Sequence, residues 1–273
     1  MLWHYIWRME KFRKHLLKEG LAENTVASYV WTASRFMDTY DSVTEENVLR
    51  YKEYLSRYRP QTVNLRLIAL GRYLDFIGRP ELKPRVVRIA RKNFLENVIS
   101  DADYRYFKKC LKRNGHVQWY FTVWFLAATG ARVSELRQIK AEHIGQGYLD
   151  ICSKGGKIRR LYIPKRLRTE AAEWIKKRHM ESGYIFTNRF GRRLTSRGIA
   201  QQLKRYGTRY GLDPAVVYPH SFRHLFARNF LDRRKDIAML ADLMGHESIE
   251  TTRIYLRRTA GEQQSAVDKI VDW

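Results

Sequence analysis

Apolar residues in the first 78 positions recur at helical spacing in two similar segments. In residues 26–37, the apolar positions fall on one face of a helix. In residues 63–77 they do the same, and Pro60 just before them is a helix start signal. Both segments therefore predict helices, and together they predict a small all-α N-terminal domain over residues 1–78.

The next segment differs in composition, with two prolines and several basic residues between Gly78 and Ser100. Proline stiffens an extended chain, so residues 79–97 are predicted to form a basic linker between two domains. Such a linker would lie along DNA while the domains grip opposite sides of a duplex. The candidate DNA-contacting residues are Arg35, Arg66 and Arg72 on the polar helix faces, and Arg85, Arg88, Arg91 and Lys92 in the linker. For the three arginines on helix faces, simple solvation is the alternative.

Helical patterns resume at residue 98 and continue through the second part of the chain with one interruption. Residues 148–151 alternate between apolar and polar, the Gly-rich run CSKGGK follows, and IRRLYIP returns as a second strand. This pattern predicts a β-hairpin that holds a lysine away from the sheet at its tip. The expected fold class is mainly α with a small antiparallel β-sheet, and residues 98–273 are expected to form the second domain.

A tail over residues 260–273 closes the second domain. Val267, Ile270 and Val271 form a short apolar stripe at i, i+3 and i+4. A helix of about ten residues is not stable alone in water, so this stripe must dock on another surface. The pattern leaves two options open, which are docking on the same domain and docking on a neighbouring protomer.

The charge of the chain indicates a polyanionic partner. Its 273 residues carry 52 Lys and Arg against 28 Asp and Glu, a net charge of +24, and both halves are basic. A chain that is 44% apolar can fold, and a folded chain with this charge most often binds nucleic acid. The alternative is a soluble basic protein without such a partner.

Several other classes of protein are not expected. No apolar run approaches the roughly 18 residues that span a bilayer. The N-terminal residues lack the long apolar region of a signal peptide. The expected location is therefore the cytoplasm of a prokaryote, at the nucleoid while bound to DNA, with no membrane partner. The two cysteines, Cys110 and Cys152, support neither a disulfide framework nor a thiolate zinc site.

No metal or cofactor is expected either. His220 and His224 have an H-x-x-x-H spacing, but Ser221 stands where a zinc protease has glutamate, and no third ligand is evident. The sequence also offers no carboxylate cluster that would bind Mg²⁺.

Three short motifs carry residues that are suited to catalysis. TGARVSEL and HSFRH each place two polar residues three apart, as neighbours on one helical face. LMGHESIETTRIY ends in a tyrosine nine residues after a histidine. Each motif alone has an ordinary structural explanation, because such pairs are common on helix surfaces and the chain has 17 tyrosines. The residues that these motifs contribute are Arg132, Glu135, His220, Arg223, His246 and Tyr255.

Together these residues form a cationic set with one nucleophile, and a phosphodiester is the substrate that fits such a set. Two guanidiniums can hold the non-bridging oxygens by forked hydrogen bonds and stabilise the charge of a five-coordinate transition state. A phenol has an ordinary pKa of about 10, and surrounding positive charge is expected to lower the pKa here. A lysine on the hairpin can protonate the leaving 5′-oxygen.

In this order, the motifs resemble the tyrosine recombinase, or phage integrase, family, and the chain length is similar to that of its simple two-domain, Xer-type members. TGARVSEL resembles the first arginine box, HSFRH the H-x-x-R box and LMGHESIETTRIY the last box. SKGGKIR resembles the hairpin lysine segment, with Lys154 at the matching position and Lys157 as the weaker candidate. NTVASY and QTVNLRL resemble the N-terminal core-binding domain. The resemblance covers nearly the whole chain.

This resemblance implies a site-specific DNA recombinase that acts in integration, excision, inversion or dimer resolution. Tyr255 would attack the DNA backbone to give a 3′-phosphotyrosine and a free 5′-hydroxyl, without ATP or a metal. The other implied roles are phosphate binding by Arg132 and Arg223, and proton transfer and hydrogen-bond donation by His220 and His246. Lys154 would be the general acid, and Glu135 would orient the site.

The resemblance also implies partners. A C-shaped clamp would grip double-stranded DNA at core sites, and the synaptic complex would be a homotetramer of chains that are monomeric or weakly associated without DNA. An additional N-terminal module for accessory arm sites is not expected. Two alternatives remain. One is DNA relaxation as by a type IB topoisomerase, which uses the same chemistry. The other is a catalytically silent DNA-binding protein.

Overall fold

The computed structural model describes residues 2–89, 97–152, 158–246, 248–256 and 260–271, without the side chains of residues 2–5, 260–263 and 266. The described part is mainly helical with one two-stranded antiparallel sheet, which confirms the expected fold class. The chain divides into two compact units, Met1–Arg91 and Lys92–Trp273, and this division falls inside the predicted linker. None of the described helices is both long and apolar enough to cross a membrane.

The N-terminal unit is a helical bundle. Its described elements are α1 (Leu2–Lys18), α2 (Glu23–Thr39), α3 (Glu45–Leu55), α4 (Pro60–Phe76) and a 3₁₀ turn (Pro80–Leu82). The two segments with helical periodicity are α2 and α4, and Pro60 occupies the first turn of α4, where its missing N–H costs nothing. Phe12, Phe36 and Leu67 of three different helices are fully buried in one core. The apolar stripes therefore pack on each other, as their spacing requires.

The first part of the predicted linker packs against this bundle. The Asn64 side chain accepts a hydrogen bond from the Val87 backbone N–H at 2.8 Å and donates one to the Val87 carbonyl at 2.9 Å. The Lys83 ammonium lies 2.5 Å from the Asp75 carboxylate, and Leu82 packs against the helical core. The chain up to Val87 is therefore fixed to the N-terminal unit, because its apolar side chains and its backbone groups find partners there.

The second unit is larger and centres on a buried helix. Its described elements are α5 (Asp101–Arg113), α6 (Val117–Thr129), α7 (Val133–Leu136), α8 (Ala141–Gln146), β1 (Tyr148–Cys152), β2 (Ile158–Tyr162), α9 (Lys165–Lys177), α10 (Ser196–Arg209), α11 (Pro219–Arg234), α12 (Ile237–Met244), α13 (Ile249–Arg253), a 3₁₀ turn (Ile254–Leu256) and α14 (Ala260–Ile270). Helix α6 is apolar on nearly every side, and Phe121, Phe125 and Leu126 are among its buried residues. A helix of this kind belongs in the middle of a core, with other helices around it.

The predicted β-hairpin is present. Strands β1 and β2 pair with Tyr148 opposite Tyr162 and Cys152 opposite Ile158. The inward residues of the hairpin, such as Leu161, join the core of the second unit. The tip between the strands, with Lys154 and Lys157, lies outside the described residues.

Two glycines end helices where other side chains pass closely. Gly130 ends α6 with φ 63°, and a Cβ there would lie 2.5 Å from the Phe226 ring. Gly245 ends α12 with φ 60°, and a Cβ there would overlap the side chain of Arg159. Both positions need a left-handed backbone and no side chain, which only glycine supplies without strain. These two helix ends place TGARVSEL, the first motif, and LMGHESIETTRIY, the third motif, beside α11, which carries the second motif, HSFRH.

Candidate active site

Arg132 precedes a short helix and is fixed by the glutamate of its own motif. The Glu135 carboxylate accepts hydrogen bonds from the Arg132 backbone N–H at 2.7 Å and from its guanidinium at 2.9 Å. The guanidinium also donates to the Gly245 carbonyl at 3.2 Å. Arg132 therefore stands at the N-cap of α7, and the expectation that both residues lie on one helical face is wrong. The capping arrangement leaves 39% of the Arg132 side chain exposed, so it can still meet a ligand.

Glu135 is buried and shared between cations. Besides its bonds to Arg132, it forms an ion pair with Arg159, and an Arg223 nitrogen lies 4.0 Å away. Burial raises the pKa of Glu135, but the charge of Arg159 and the hydrogen bonds from Arg132 outweigh burial and hold the pKa below its ordinary value. The carboxylate is therefore ionised at neutral pH and offsets one of the positive charges around it.

Arg223 lies at the centre of the cluster and is 1% exposed. Its guanidinium donates to the Gly130 carbonyl at 2.5 Å and to the Met244 carbonyl at 2.7 Å. These carbonyls lie at the C-terminal ends of α6 and α12, where a cation is favoured by the helix dipoles. Burial, together with the charge of Arg132, lowers the pKa of Arg223 to about 10, so it remains charged at neutral pH. The buried arginine thus joins all three motifs.

His246 is held between Arg223 and Thr252. Its Nε2 lies 3.0 Å from an Arg223 nitrogen, and its Nδ1 lies 2.7 Å from the Thr252 hydroxyl. Because a guanidinium only donates, Nε2 must accept, and Nδ1 must carry the proton that it shares with Thr252. Burial and the nearby arginines lower the pKa of His246 to about 4, so the ring is neutral at neutral pH. In this arrangement Nε2 is an acceptor, whereas the resemblance implied a donor.

Tyr255 lies in the 3₁₀ turn after α13 and is buried, with 4% exposure. Its ring lies between two histidine rings, with centroid distances of 6.1 Å to His246 and 5.2 Å to His224. Burial raises the pKa of the phenol, and the charge and hydrogen bond of Arg223 only partly oppose this. The expectation that surrounding cations lower this pKa below its ordinary value is therefore wrong, because desolvation of the phenolate is the larger effect.

His220 begins the helix that carries Arg223. It is exposed, and its ring lies 4.7 Å from the His224 ring, nearly perpendicular to it. Although the residue as a whole is exposed, the groups packed around its ring remove part of its hydration, and this desolvation, with the charges of Arg223 and Arg132, lowers the pKa of His220. Among the described residues, no group of three His, Cys, Asp or Glu side chains could hold a metal ion.

The structure thus brings together six of the residues singled out in the motifs. They are Arg132, Glu135, His220, Arg223, His246 and Tyr255. The predicted general acid, Lys154, lies outside the described residues.

The candidate DNA-contacting arginines differ in their surroundings. Arg72 is paired with Glu19, so it is less available to a phosphate than a free arginine. Arg66 donates to the Thr32 hydroxyl at 2.8 Å. Arg85 and Arg88 are exposed. Arg35 lines a cleft of the N-terminal unit, while Arg91 and Lys92 lie outside the described residues.

Arg159 is a site residue that the motifs do not contain. It is 8% exposed, pairs with Glu135 and donates to the carbonyl of Leu243, the first residue of LMGHESIETTRIY. It therefore connects the hairpin strand β2 to the first and third motifs. The alternation in IRRLY puts Arg159 on the same strand face as the buried Leu161, and a charged residue on that face was the available signal.

Comparisons with known proteins identify the relatives of this chain. Residues 99–262 match the Phage integrase family. The chain is 31% identical to Tyrosine recombinase XerA of Pyrococcus furiosus, over 96% of this chain and 93% of that protein. It is 26% identical to Tyrosine recombinase XerD of Vibrio cholerae, over 87% of both chains.

Solved structures share the fold. A crystal structure of XerA recombinase matches with a TM-score of 0.55 at 20% identity and covers 96% of this chain and 97% of that one. XerH site-specific recombinase bound to its difH substrate matches with a TM-score of 0.69 at 20% identity, over 89% and 78% of the two chains. From the family match and the identity to XerA over nearly full length, the chain belongs to the phage integrase family, as a Xer-like tyrosine recombinase.

Proposed function

We propose that this protein cleaves and rejoins double-stranded DNA at specific core sites, with Tyr255 as the nucleophile. The reaction would serve integration, excision, inversion or dimer resolution. The observation that carries this proposal is the position of Tyr255. Its phenol is buried beside the guanidinium of Arg223, which is fixed by hydrogen bonds to the Gly130 and Met244 carbonyls. A buried tyrosine with only a structural role would not need a charged arginine at its hydroxyl.

The charges of the site fit the transition state of this reaction. Arg132, Arg159 and Arg223 contribute three positive charges and Glu135 one negative charge, which leaves a net +2 (3 − 1 = 2). A phenolate and a phosphodiester bring two negative charges together at phosphorus. Because the guanidiniums are already fixed by hydrogen bonds, they stabilise this charge without further ordering. We assign the phosphate contacts to Arg132, which is half-exposed, and to Arg223.

The cleavage step forms one bond to phosphorus, breaks another and transfers two protons. The Tyr255 oxygen forms a bond to phosphorus as the bond from phosphorus to the 5′-oxygen breaks. The phenol proton must leave, because burial keeps the phenol protonated at neutral pH. We assign the neutral imidazole of His220 as its acceptor, because Nε2 of His246 already accepts a hydrogen bond from Arg223 and Nδ1 carries a proton. Lys154 protonates the 5′-oxygen. The reverse attack of a 5′-hydroxyl on the phosphotyrosine rejoins the strand, so the bond energy is kept and ATP is not needed.

We further propose that the active assembly is a tetramer on DNA, joined through α14. Val267, Ile270 and Val271 are exposed in the structure, so the apolar stripe does not pack on its own unit there. A groove of about 330 Å³ in the second unit is lined by apolar residues that include Phe226 and Phe230 and by the basic residues Arg233 and Arg234. The apolar stripe beside Asp268 suits this groove in both polarity and charge, which supports docking on a neighbouring protomer.

The relatives named Xer recombinases come from archaea and bacteria. We therefore expect this protein to act in the cytoplasm of a prokaryote, where the chromosome lies.

Replacement of Tyr255 by Phe tests the nucleophile directly. The change removes only the hydroxyl and leaves the basic residues in place, so binding should persist while covalent attachment is lost. Bound duplexes selected from a randomised library, each nicked beside the cleavage point, would trap protein-linked DNA on a denaturing gel. An adduct that survives in Tyr255→Phe would falsify the assignment.

The same selected sites separate the alternatives. Exchange of strands between two sites supports recombination, and relaxation of supercoils without any site supports an activity like that of topoisomerases. Binding without any covalent adduct in the unaltered protein would instead identify a silent DNA-binding protein.

A further inference from the structure

A cleft in the N-terminal unit has the dimensions and the lining of a ligand site. It encloses about 360 Å³ between α2, α3 and the start of α4. This volume lies at the small end of the range for small-molecule pockets, about 300–1,000 Å³, so it suits one compact group. Its aromatic and cationic lining residues are Trp31, Tyr51, Tyr54, Tyr58, Arg35 and Arg66.

Three of the four aromatic residues that line the cleft are exposed, and the Arg57 guanidinium lies 3.7 Å from the centroid of one of them, Tyr54. Trp31 is 51% exposed, Tyr54 39% and Tyr58 44%, whereas Tyr51 is buried beneath them. Tyr51 and Tyr54 are nearly parallel, with centroids 6.2 Å apart, and Tyr58 follows at 6.4 Å from Tyr54. Several large rings gathered at one exposed place are typical of a surface that binds something flat and apolar.

The charged groups of the cleft favour an anion. The Arg66 guanidinium lies 4.1 Å from the Trp31 ring centroid and is held there by its bond to Thr32. Arg35 lines the same cleft from α2, four residues after Trp31. No carboxylate is among the described lining residues, so no acidic group of the cleft neutralises these two charges. The cleft therefore suits a group with a flat apolar face and an attached negative charge.

We propose that this cleft binds one unstacked nucleotide of a DNA strand, with the base against the aromatic rings and the phosphate near Arg35. In an intact duplex the faces of the bases are stacked on each other, and side chains in the grooves reach only the base edges. Stacking on a protein ring therefore needs an unpaired base. Strand exchange supplies such bases, because each strand must leave its old complement before it pairs with a new one. The inference rests on the proposed function in this respect.

The test compares two single-stranded octamers, one of thymidines and one of abasic sites with the same phosphates. Because both carry the same charge, the ratio of their dissociation constants reports base stacking separately from the general attraction of the basic chain. Fluorescence anisotropy with the full-length protein measures both constants. We expect the thymidine octamer to bind about 5- to 100-fold more tightly, as for other aromatic sites on single strands.

Variants then identify the residues that cause the preference for the thymidine octamer over the abasic octamer. Trp31→Ala and Tyr54→Ala should bring the ratio close to one, and Tyr54→Phe, which keeps the ring, should preserve it. Arg35→Ala should weaken both octamers. Phe190→Ala is the matched control, since Phe190 is 71% exposed in the other unit and also lies beside an arginine, at 4.7 Å from Arg189.

Three results would overturn the proposal. One is a ratio near one in the unaltered protein, and another is an equal loss of the ratio in Phe190→Ala. The third is a loss of affinity for intact duplex in Tyr54→Ala that is as large as its loss of affinity for the thymidine octamer. This result would mean that the cleft contacts paired DNA. Thermal melting of each variant verifies that it is folded. The covalent adduct at Tyr255 is measured separately. Failure of the proposal for the cleft and failure of the recombinase assignment therefore give different results.

Discussion

At the scale of single residues, a chemical substitution can test the proposed general-acid role of the hairpin lysine. Lys154→Ala should slow cleavage much more than Lys157→Ala, because Lys154 matches the position of the general acid in the family. A 5′-thiolate leaving group needs no proton, so a 5′-thio substrate should restore cleavage by Lys154→Ala. Rates on normal and thio substrates measure this rescue. Equal defects at the two lysines, or no rescue, would remove Lys154 from this role.

Arg159 and Arg160 are neighbours on one strand and form a matched pair for measuring what a buried ion pair contributes. Arg159 is buried with Glu135, and its loss should reduce the free energy of unfolding by about 3–5 kcal/mol, because a charge is left unpaired in the interior. Arg160 pairs with Asp150 at the surface, and its loss should cost about 1 kcal/mol or less. Urea denaturation of the two alanine variants compares them. Similar losses in the free energy of unfolding would show that the buried ion pair contributes no more than the surface ion pair.

Arg159→Ala should also change the pH dependence of cleavage. In the unaltered protein the pKa of Glu135 is below its ordinary value. The ionised carboxylate therefore stabilises the folded state at neutral pH, and this stabilisation is lost as the pH falls through the depressed pKa. Without Arg159, burial is opposed only by Arg132 and the more distant Arg223, so the pKa should rise. Cleavage by Arg159→Ala should therefore decline as the medium becomes mildly acidic. A pH profile that is no steeper than that of the unaltered protein would contradict this role, and Glu135→Gln in the variant should abolish the decline.

At the scale of elements, the proposal that α14 couples neighbouring protomers can be tested by truncation. Truncation after Gly261 removes the exposed apolar stripe and should leave binding to a single site nearly unchanged, while synapsis and recombination fall. Light scattering on two-site DNA counts the protomers. In the full-length chain, Ile270→Asp should reproduce the defect, and Lys269→Ala, which changes a polar neighbour, should not. Normal tetramers from the truncated protein would refute docking on a neighbour.

At the scale of the whole molecule, a net charge of +24 predicts that DNA binding weakens as the salt concentration rises. The logarithm of the affinity should fall with the logarithm of salt by about 0.9 for each phosphate neutralised, and a clamp should neutralise several. Removal of the exposed Arg88 should reduce the slope by about one such unit, whereas removal of Arg72, already paired with Glu19, should reduce it less. Titrations at several salt concentrations measure these slopes. A slope near −1 on a duplex site would exclude an encircling grip.

The sequence by itself determined the elements and the identity of most site residues. Helical periodicity identified α2 and α4, and the alternation around a Gly-rich turn identified the β-hairpin, because these patterns express contacts between near neighbours along the chain. The three motifs identified six residues that meet in space. Their spacing within each motif is local, and their order along the chain matches the family.

Only the tertiary structure decided the electrostatics of the site. Arg223 bonds across 93 residues to the Gly130 carbonyl, and Arg159 bonds across 84 residues to Leu243, which no local pattern contains. The sign of the change in the pKa of Tyr255 depends on how completely packing removes water from the phenol, and this outweighs the nearby arginines. The proton position on His246 follows from its two partners, one of which lies in a different motif. Local sequence fixes which groups are present, but burial and distant partners set their charge.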